Sequence, residues 1–320
     1  MHKFYFVYGV SQEPQNMNHL IGLIVPTLNA DVGFEIWIES LKSQSLQPDR
    51  ILVVDSSSDD ETVSLARNAG FETLTISRSE FNHGGTRQRA VDFMSDMDIL
   101  VFLTQDAVLA SPSSLRTLTQ CFDDELVGAA YGRQLPHVDA GLIAAHAREF
   151  NYGKITEKRS IADIPRLGIK TTFISNSFSA YRRSALMEAG GFPSKIIVSE
   201  DTCVAAKMLL SGLKVVYCAE ATVHHSHDYS FIQEVARYFD IGVFHAREPW
   251  VRGIFGAIEG EGKRFVLSEI RYLARTAPWL IPSAVIRTVL KYTGFRLGLV
   301  EKKLPKALTR RISMQKAYWE

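Results

Sequence analysis

Between residues 19 and 106 the chain repeats one pattern: a short apolar run that stops on a polar residue, then a segment with helical spacing. His19–Asn29 (HLIGLIVPTLN) is apolar until Pro26 and Asn29 close it, and reads as a buried strand. Phe34, Ile36, Ile38 and Leu41 follow near helical spacing. RILVVDSSSDDET is a second strand ending at Asp55, with Asp59 or Asp60 placed to cap a helix through TVSLARNAG that Gly70 closes. FETLTIS is a third strand, GGTRQRAVDFMSD a helix entered through glycines, and DILVFLTQDA a fourth strand. Strands alternating with helices imply right-handed crossovers and an α/β fold with a mostly parallel central sheet. In such sheets ligands sit at the carboxyl ends of the strands. Asn29, Asp55 and Asp106 all stand at such ends.

After residue 111 the pattern is less regular. VGAAYGRQLP and TTFISNSFSAYRR read as strands, SALMEAGGF and SEDTCVAAKMLLSGL as helices, and KVVYCAEATVHHSH as a strand running into histidines. No repeat or linker interrupts the chain. The expected division is therefore an uninformative leader (1–18), a catalytic domain (19–245) and a basic helical C-terminal region (246–320). Three scattered cysteines without a C-x-x-C pair point to a reducing compartment and away from a zinc–thiolate site. The N-terminus has no basic segment leading into an apolar core, so a cytoplasmic protein is expected.

Charge is distributed unevenly. Residues 263–320 carry 13 Lys and Arg against three acids, so a net charge of +1 leaves the other 262 residues at −9. The tail contains APWLIPSAVIRTVLKYTGFRLGLVEKKL, in which no window of about 18 apolar residues runs uninterrupted, which argues against a transmembrane helix. A basic tail with Trp and Leu fits a helix lying on an anionic membrane surface, or a helical layer packed on the domain with solvated lysines. The acidic body and the lack of a recognised motif exclude nucleic acid as the expected partner.

Three clusters carry chemistry. Asp106 alone reads more readily as a helix cap than as a metal or substrate ligand. His225 and His227, two apart on an extended segment, face the same way. A carboxylate with imidazole suits Mg²⁺ or Mn²⁺ with positions open to phosphate oxygens, whereas zinc is less suited without thiolates. A hydrogen-bonded histidine pair is the plainer alternative. In FNHGGTRQRA, Gly84 and Gly85 let backbone N–H groups approach a ligand, and Thr86 opens a helix whose N-terminus favours anions. Arg87 and Arg89 add charge suited to phosphate, although a plain glycine turn fits too. Glu200 and Asp201 open a helix, either as partners of its dipole or with one as a general base.

In this order VPTLNA, ILVVDSSSDDET, FNHGGTRQRA, FLTQDA, SNSFSAYRRSAL, SEDT and VHHSHDYS resemble family 2 glycosyltransferases of the GT-A fold, most specifically a bacterial rhamnosyltransferase-like branch. The resemblance implies a nucleotide pocket lined by Pro26 and Asn29, with Asp55 on the base and Arg87 near the diphosphate. It makes Asp106 the metal-binding residue of the D-x-D position, written here Thr104-Gln105-Asp106, so that the first carboxylate is missing and Gln105 takes the middle place. His227 completes the metal site, with His225 its rival. Asp201 is the implied catalytic base, assisted by Glu200, in an inverting transfer from a nucleotide-sugar donor, dTDP-L-rhamnose favoured. The implied acceptor is a glycan or lipid-linked glycan, met on the inner face of the plasma membrane. A sugar nucleotidyltransferase and a non-catalytic glycan- or nucleotide-binding module are the competing readings. The loop PTLNADVGF has no basic residue, which disfavours the first.

Overall fold

The computed structural model of the protein describes residues 19–256 and 260–319; the expected leader, 1–18, lies outside them. The first half alternates as the pattern predicts: β1 (Ile21–Thr27), α1 (Asp31–Lys42), β2 (Arg50–Asp55), α2 (Thr62–Asn68), β3 (Glu72–Thr75), α3 (His83–Phe93) and β4 (Ile99–Leu103). These strands lie in the order β3-β2-β1-β4, all parallel. Successive side chains feed opposite layers. Leu100 and Phe102 of β4 pack with Ala90, Val91 and Met94 of α3, while Ile99, Val101 and Leu103 pack with Phe34, Trp37 and Leu41 of α1. Both faces are covered, which is why ILVFL is apolar throughout and wholly buried.

The second half adds β5 (Val108–Leu109), α4 (Ser114–Thr119), β6 (Val127–Leu135), α5 (Leu142–Asn151), β7 (Glu157–Arg159), α6 (Ile164–Leu167), β8 (Phe178–Arg182), α7 (Arg183–Glu188), α8 (Glu200–Leu210) and β9 (Lys214–His224). Here the sheet turns mixed. β8 enters antiparallel between β4 and β6, β9 runs parallel to β6, and β5 and β7 pair antiparallel with β9. The β6–β9 register jumps between Gly132↔Cys218 and Arg133↔Thr222, so β9 carries three extra residues there. That bulge kinks β9 before it delivers its histidines.

Two cap expectations change. Asp60 serves the start of α2 by accepting from Thr62 N (3.0 Å), while the residue at the cap position is Glu61. α3 begins at His83, ahead of Thr86, because the Asn82 side chain accepts from Gly85 N–H at 2.6 Å.

The C-terminal region is helical: α9 (Phe231–Arg247), α10 (Pro249–Phe255), α11 (Glu261–Thr276), α12 (Ile281–Leu299) and α13 (Lys306–Ile312). α12 lies against α9 at backbone distance, because glycines face each other. A Cβ on Gly298 would stand 2.1 Å from Phe239 O, and one on Gly294 2.4 Å from Val235 O. The chain then returns to the body. Buried Asp240 accepts from Ser313 Oγ (2.6 Å) and Met314 N (3.0 Å), and Arg247 reaches Glu301 (3.0 Å) and the Tyr318 hydroxyl (2.8 Å). The outward face of α12 leaves Val285, Ile286, Val289 and Tyr292 exposed beside Trp279, which is 74% exposed. Among the described residues no helix is long and apolar enough to cross a membrane.

If glycine contact sets the α9–α12 distance, Gly298→Ala forces the helices apart and lowers stability by about 1–3 kcal/mol, the usual range for overpacking. Urea denaturation measures this. A midpoint equal to that of the parent protein would show that α12 shifts without cost.

Candidate active site

The carboxyl ends of β1, β2 and β4 meet at one edge. Pro26 is half-buried in β1, in register with Val54. Buried Asp55 accepts from Thr27 Oγ1 (3.0 Å), Ser58 Oγ (2.5 Å) and Ser58 N (2.8 Å). Asn29 sits at φ 47°, its side chain accepting from Asp59 N at 2.9 Å. Gln105 binds the Leu28 backbone twice: Oε1 accepts from Leu28 N (2.8 Å) and Nε2 donates to Leu28 O (3.1 Å). A carboxylate could make only the first of these bonds. The neutral residue between Thr104 and Asp106 thus locks the end of β4 to the loop after β1. Among the described residues the non-glycine positions with positive φ are Asn29, Ser57 and Ser199, and all lie at strand ends or beside the candidate base.

Asp106 follows this lock and meets both histidines. His225 Nε2 and His227 Nε2 each lie 3.5 Å from Asp106 Oδ2, and ligand-capable atoms of the three residues fall within 4.8 Å of one another. The structure therefore brings together both histidines, not one in place of the other. Burial alone would raise the Asp106 carboxyl. The hydrogen bond and charge from His225, with further charge from His227, hold it well below the usual range. His227 is pushed down to about 4, by burial first and then by its neighbour His225. His225 turns its other nitrogen to Gln134: Nδ1 lies 3.0 Å from Oε1, an acceptor, so Nδ1 carries a hydrogen and Nε2, facing Asp106, is the nitrogen that would give up its hydrogen to a bound cation. One carboxylate and two imidazoles so oriented, without a thiolate, fit a divalent cation such as Mn²⁺ or Mg²⁺.

The base region is built around a buried ion pair. Arg87 Nη1 reaches Glu200 Oε1 at 2.9 Å, joining α3 to α8. Asn176 Nδ2 adds a second donor to Glu200 at 3.1 Å, and its orientation is fixed because Oδ1 accepts from Ser179 Oγ and Tyr181 OH. Against the cost of burial, Arg87 holds the Glu200 carboxyl below its usual range. Asp201 is pushed the other way, up to about 7, by burial first and by the adjacent Glu200 charge second. The two neighbouring carboxyls are thus pushed apart in proton affinity, Glu200 downward and Asp201 upward. Ser199, at φ 66°, turns the chain so that both face inward.

Gly84 and Gly85 have a structural explanation. A Cβ on Gly84 would meet Pro193 O at 1.9 Å, and Gly85 packs on Asn82. Arg89 stands at the surface, 3.8 Å from Glu80. With Arg87 buried, the residue of this motif that lines the cavity is His83. That cavity, about 1480 Å³, is walled by Asp106, Asp201, His225 and His227 at one end and by α5, α9, α11 and α12 beyond.

The profile of glycosyl transferase family 2 matches residues 23–190. The chain belongs to that family. It is 49% identical over 300 residues to the O-antigen chain rhamnosyltransferase RfbN of Salmonella typhimurium, across 93% of this chain and 96% of that one. It is 48% identical over 298 residues to the O-antigen chain rhamnosyltransferase WbaN of Salmonella anatum, across 93% and 95%. Among solved structures, the mannosyltransferase PcManGT from Pyrobaculum calidifontis, in complex with GDP-Man and Mn²⁺, superposes with a TM-score of 0.57 at 18% identity, over 98% of this chain and 88% of that one. S. aureus TarS 1-349 superposes with 0.54 at 15% identity, over 88% and 91%. At such identities the likeness shows the fold, which is GT-A as expected. The protein is a glycosyltransferase, so the nucleotidyltransferase and binding-module readings fall away.

Asn176 and Gln134 were missing from the sequence reading of this transferase. The only signal was their position, Asn176 within SNSFSAY and Gln134 at the end of a strand. Orienting ligands from behind typically changes metal affinity about 10–100-fold, so Gln134→Leu should weaken Mn²⁺ binding by that factor with the fold intact. Direct Mn²⁺ titration followed by electron paramagnetic resonance measures it. Unchanged affinity would remove Gln134 from this role.

Proposed function

We propose that the transferase moves an L-rhamnosyl group from a nucleoside-diphosphate donor, dTDP-L-rhamnose first among them, to a hydroxyl of a lipid-linked cell-surface polysaccharide. The reading is supported by the relatives, whose names describe O-antigen chain rhamnosyltransferases. The observation that carries the chemistry is Asp201, its carboxyl pushed up to about 7, in one cavity with Asp106, His225 and His227.

Asp201 takes the proton of the acceptor hydroxyl as that oxygen attacks the anomeric carbon with inversion. Glu200, held ionised by Arg87, keeps Asp201 basic enough to do so. Pro26, Asn29, Asp55 and Gln105 form the strand-end wall assigned to the nucleotide, with Gly84, Gly85 and Arg87 behind the diphosphate. Asp106, His225 and His227 would hold Mg²⁺ or Mn²⁺, which neutralises charge on the departing nucleoside diphosphate. His83 lines the same cavity and is suited to the same oxygens.

A panel of nucleotide sugars, scored by nucleoside diphosphate release in the presence of acceptor, tests this. Release is expected from dTDP-L-rhamnose. Asp201→Asn should reduce turnover at least about a hundredfold without loss of fold. Because the working form of Asp201 is the carboxylate, turnover should rise with pH and level off above about 7. A profile flat from acid to neutral pH, or near-normal turnover in the variant, would take the base role from Asp201.

We also assign the enzyme to the cytoplasmic face of the plasma membrane, held there peripherally by its C-terminal region. The exposed Trp279, Ile286, Val289 and Tyr292, beside the basic tail, have the composition of an interfacial surface. With Trp279→Asp and Ile286→Asp together, flotation on anionic liposomes should be lost while the fold is kept, since both side chains are exposed. Equal flotation of variant and parent would exclude this face.

A further inference from the structure

The cavity extends well beyond the part a donor sugar requires. It begins at Asp106 and Asp201 and continues along α5, α9, α11 and α12; Asn29 and Asp55 lie outside its lining. Most of its space therefore lies away from the strand-end wall assigned to the nucleotide, on the side open to an acceptor approaching Asp201.

Its lining changes character along this path. Near Asp201 stand Ser175, Ser177 and Thr202, whereas farther out Leu142, Ile143, Phe265, Val266, Leu280 and Val289 make apolar walls. Cations mark the transition. The Arg237 guanidinium lies over the Tyr229 ring (5.5 Å), which stacks on His227 (5.1 Å), and Lys291 Nζ lies over Phe265 (5.5 Å). Arg287 and Lys291 share one carboxylate, Glu234, each at 3.4 Å. Arg237 contacts aromatic faces, and among the described residues no carboxylate stands within ion-pair distance of it. Arg287 and Lys291 thus share Glu234 and also feel the buried carboxyl of Glu269, so that among the described residues the cation of this group left without a carboxylate is Arg237.

Apolar walls would leave saccharide hydroxyls without partners, and the Arg237 charge would go unmatched by a neutral glycan. Both features suit an amphiphile with an anionic head. Val289 and Tyr292 line the cavity and are 58% and 62% exposed, which makes the apolar wall continuous with the outer strip around Ile286 and Trp279. Building on the lipid-linked acceptor proposed above, we infer that this lobe binds the acceptor's lipid-phosphate end. Its phosphate lies against Arg237, Arg287 and Lys291, its hydrocarbon runs between α5, α11 and α12 to the outer strip, and its sugar hydroxyl reaches Asp201.

Farnesyl diphosphate, titrated calorimetrically into the full chain in EDTA so that no cation cluster captures the diphosphate, tests this. It should bind at least about tenfold more tightly than inorganic diphosphate or farnesol, since only it offers both parts. Arg237→Gln should weaken it by about tenfold, the effect of one charge-assisted contact. Val289→Asp should weaken farnesyl diphosphate but not inorganic diphosphate. Both variants should still bind thymidine diphosphate with Mn²⁺, which confirms that they are folded. Farnesyl diphosphate binding no tighter than inorganic diphosphate overturns the assignment. So does an Arg237→Gln effect as large on thymidine diphosphate, which would make Arg237 a donor residue. No arm uses a rhamnosyl donor, so failure of dTDP-L-rhamnose in the donor panel and failure of this lobe are separate results.

Discussion

The ion pair between Arg87 and Glu200, 2.9 Å long and buried at both ends, is the contact on which the site depends. It joins the parallel half of the sheet, through α3, to the mixed half, through α8. A pair in this setting gives little net stability, because desolvating both charges offsets most of their attraction. Its value is positional. With Arg87 and Asn176 both on Glu200, this carboxylate stays ionised, and its charge then adds to burial in raising Asp201. Removing Arg87 would leave Glu200 as an uncompensated buried charge and would also change the basicity of its neighbour. Stability and the basicity of Asp201 are therefore coupled at one residue that does not line the cavity.

The second constraint is the kink in β9. Three extra residues after Cys218 shift its pairing with β6, and the strand then ends at His224, so His225 and His227 emerge beside the end of β4. β6 contributes Gln134 at the same level, in register with Val223, and this side chain sets the His225 ring. The cluster is thus assembled from β4, β6 and the end of β9, none of them adjacent in sequence. Gln105 does for Asp106 what Gln134 does for His225. Each is a neutral amide that fixes one member of the cluster by bonding a group far away in the chain.

This explains which parts of the molecule were legible in the sequence. The four parallel strands were, because strands covered on both faces must be apolar throughout and must end where the sheet meets solvent. The positions of Asp55, Asp106 and Asp201 were legible for the same reason, at the ends of buried strands or the start of a helix, although Asp106 and Asp201 taken alone also fitted a cap or a dipole partner. Strand direction in the second half was not, since FSAYR has the same composition whichever way β8 runs. The roles of Gln105 and Gln134 were hidden because their partners are 77 and 91 residues away. Arg87 was read as a phosphate ligand because nothing in its own motif announces Glu200, 113 residues on. The packing of α12 was hidden as well, since Gly294 and Gly298 look like helix weaknesses until the α9 backbone is seen against them.

The two sides of the site are built by different means, and this bears on what each can change. The strand-end side is backbone: strand ends, positive-φ turns at Asn29 and Ser57, and short side chains bonded to neighbouring N–H groups. Such a wall is fixed by the sheet itself, and the fold is what the chain shares with neighbours below 20% identity. The far side is helical surface, where Leu142, Phe265, Val289 and the cations of α9 and α12 hold no strand in place. Substitutions there alter the shape and charge of the lobe at little cost to the sheet. The Arg87–Glu200 pair and the strand-end wall are therefore tied to the sheet, while the far side of the cavity can vary with the C-terminal helices.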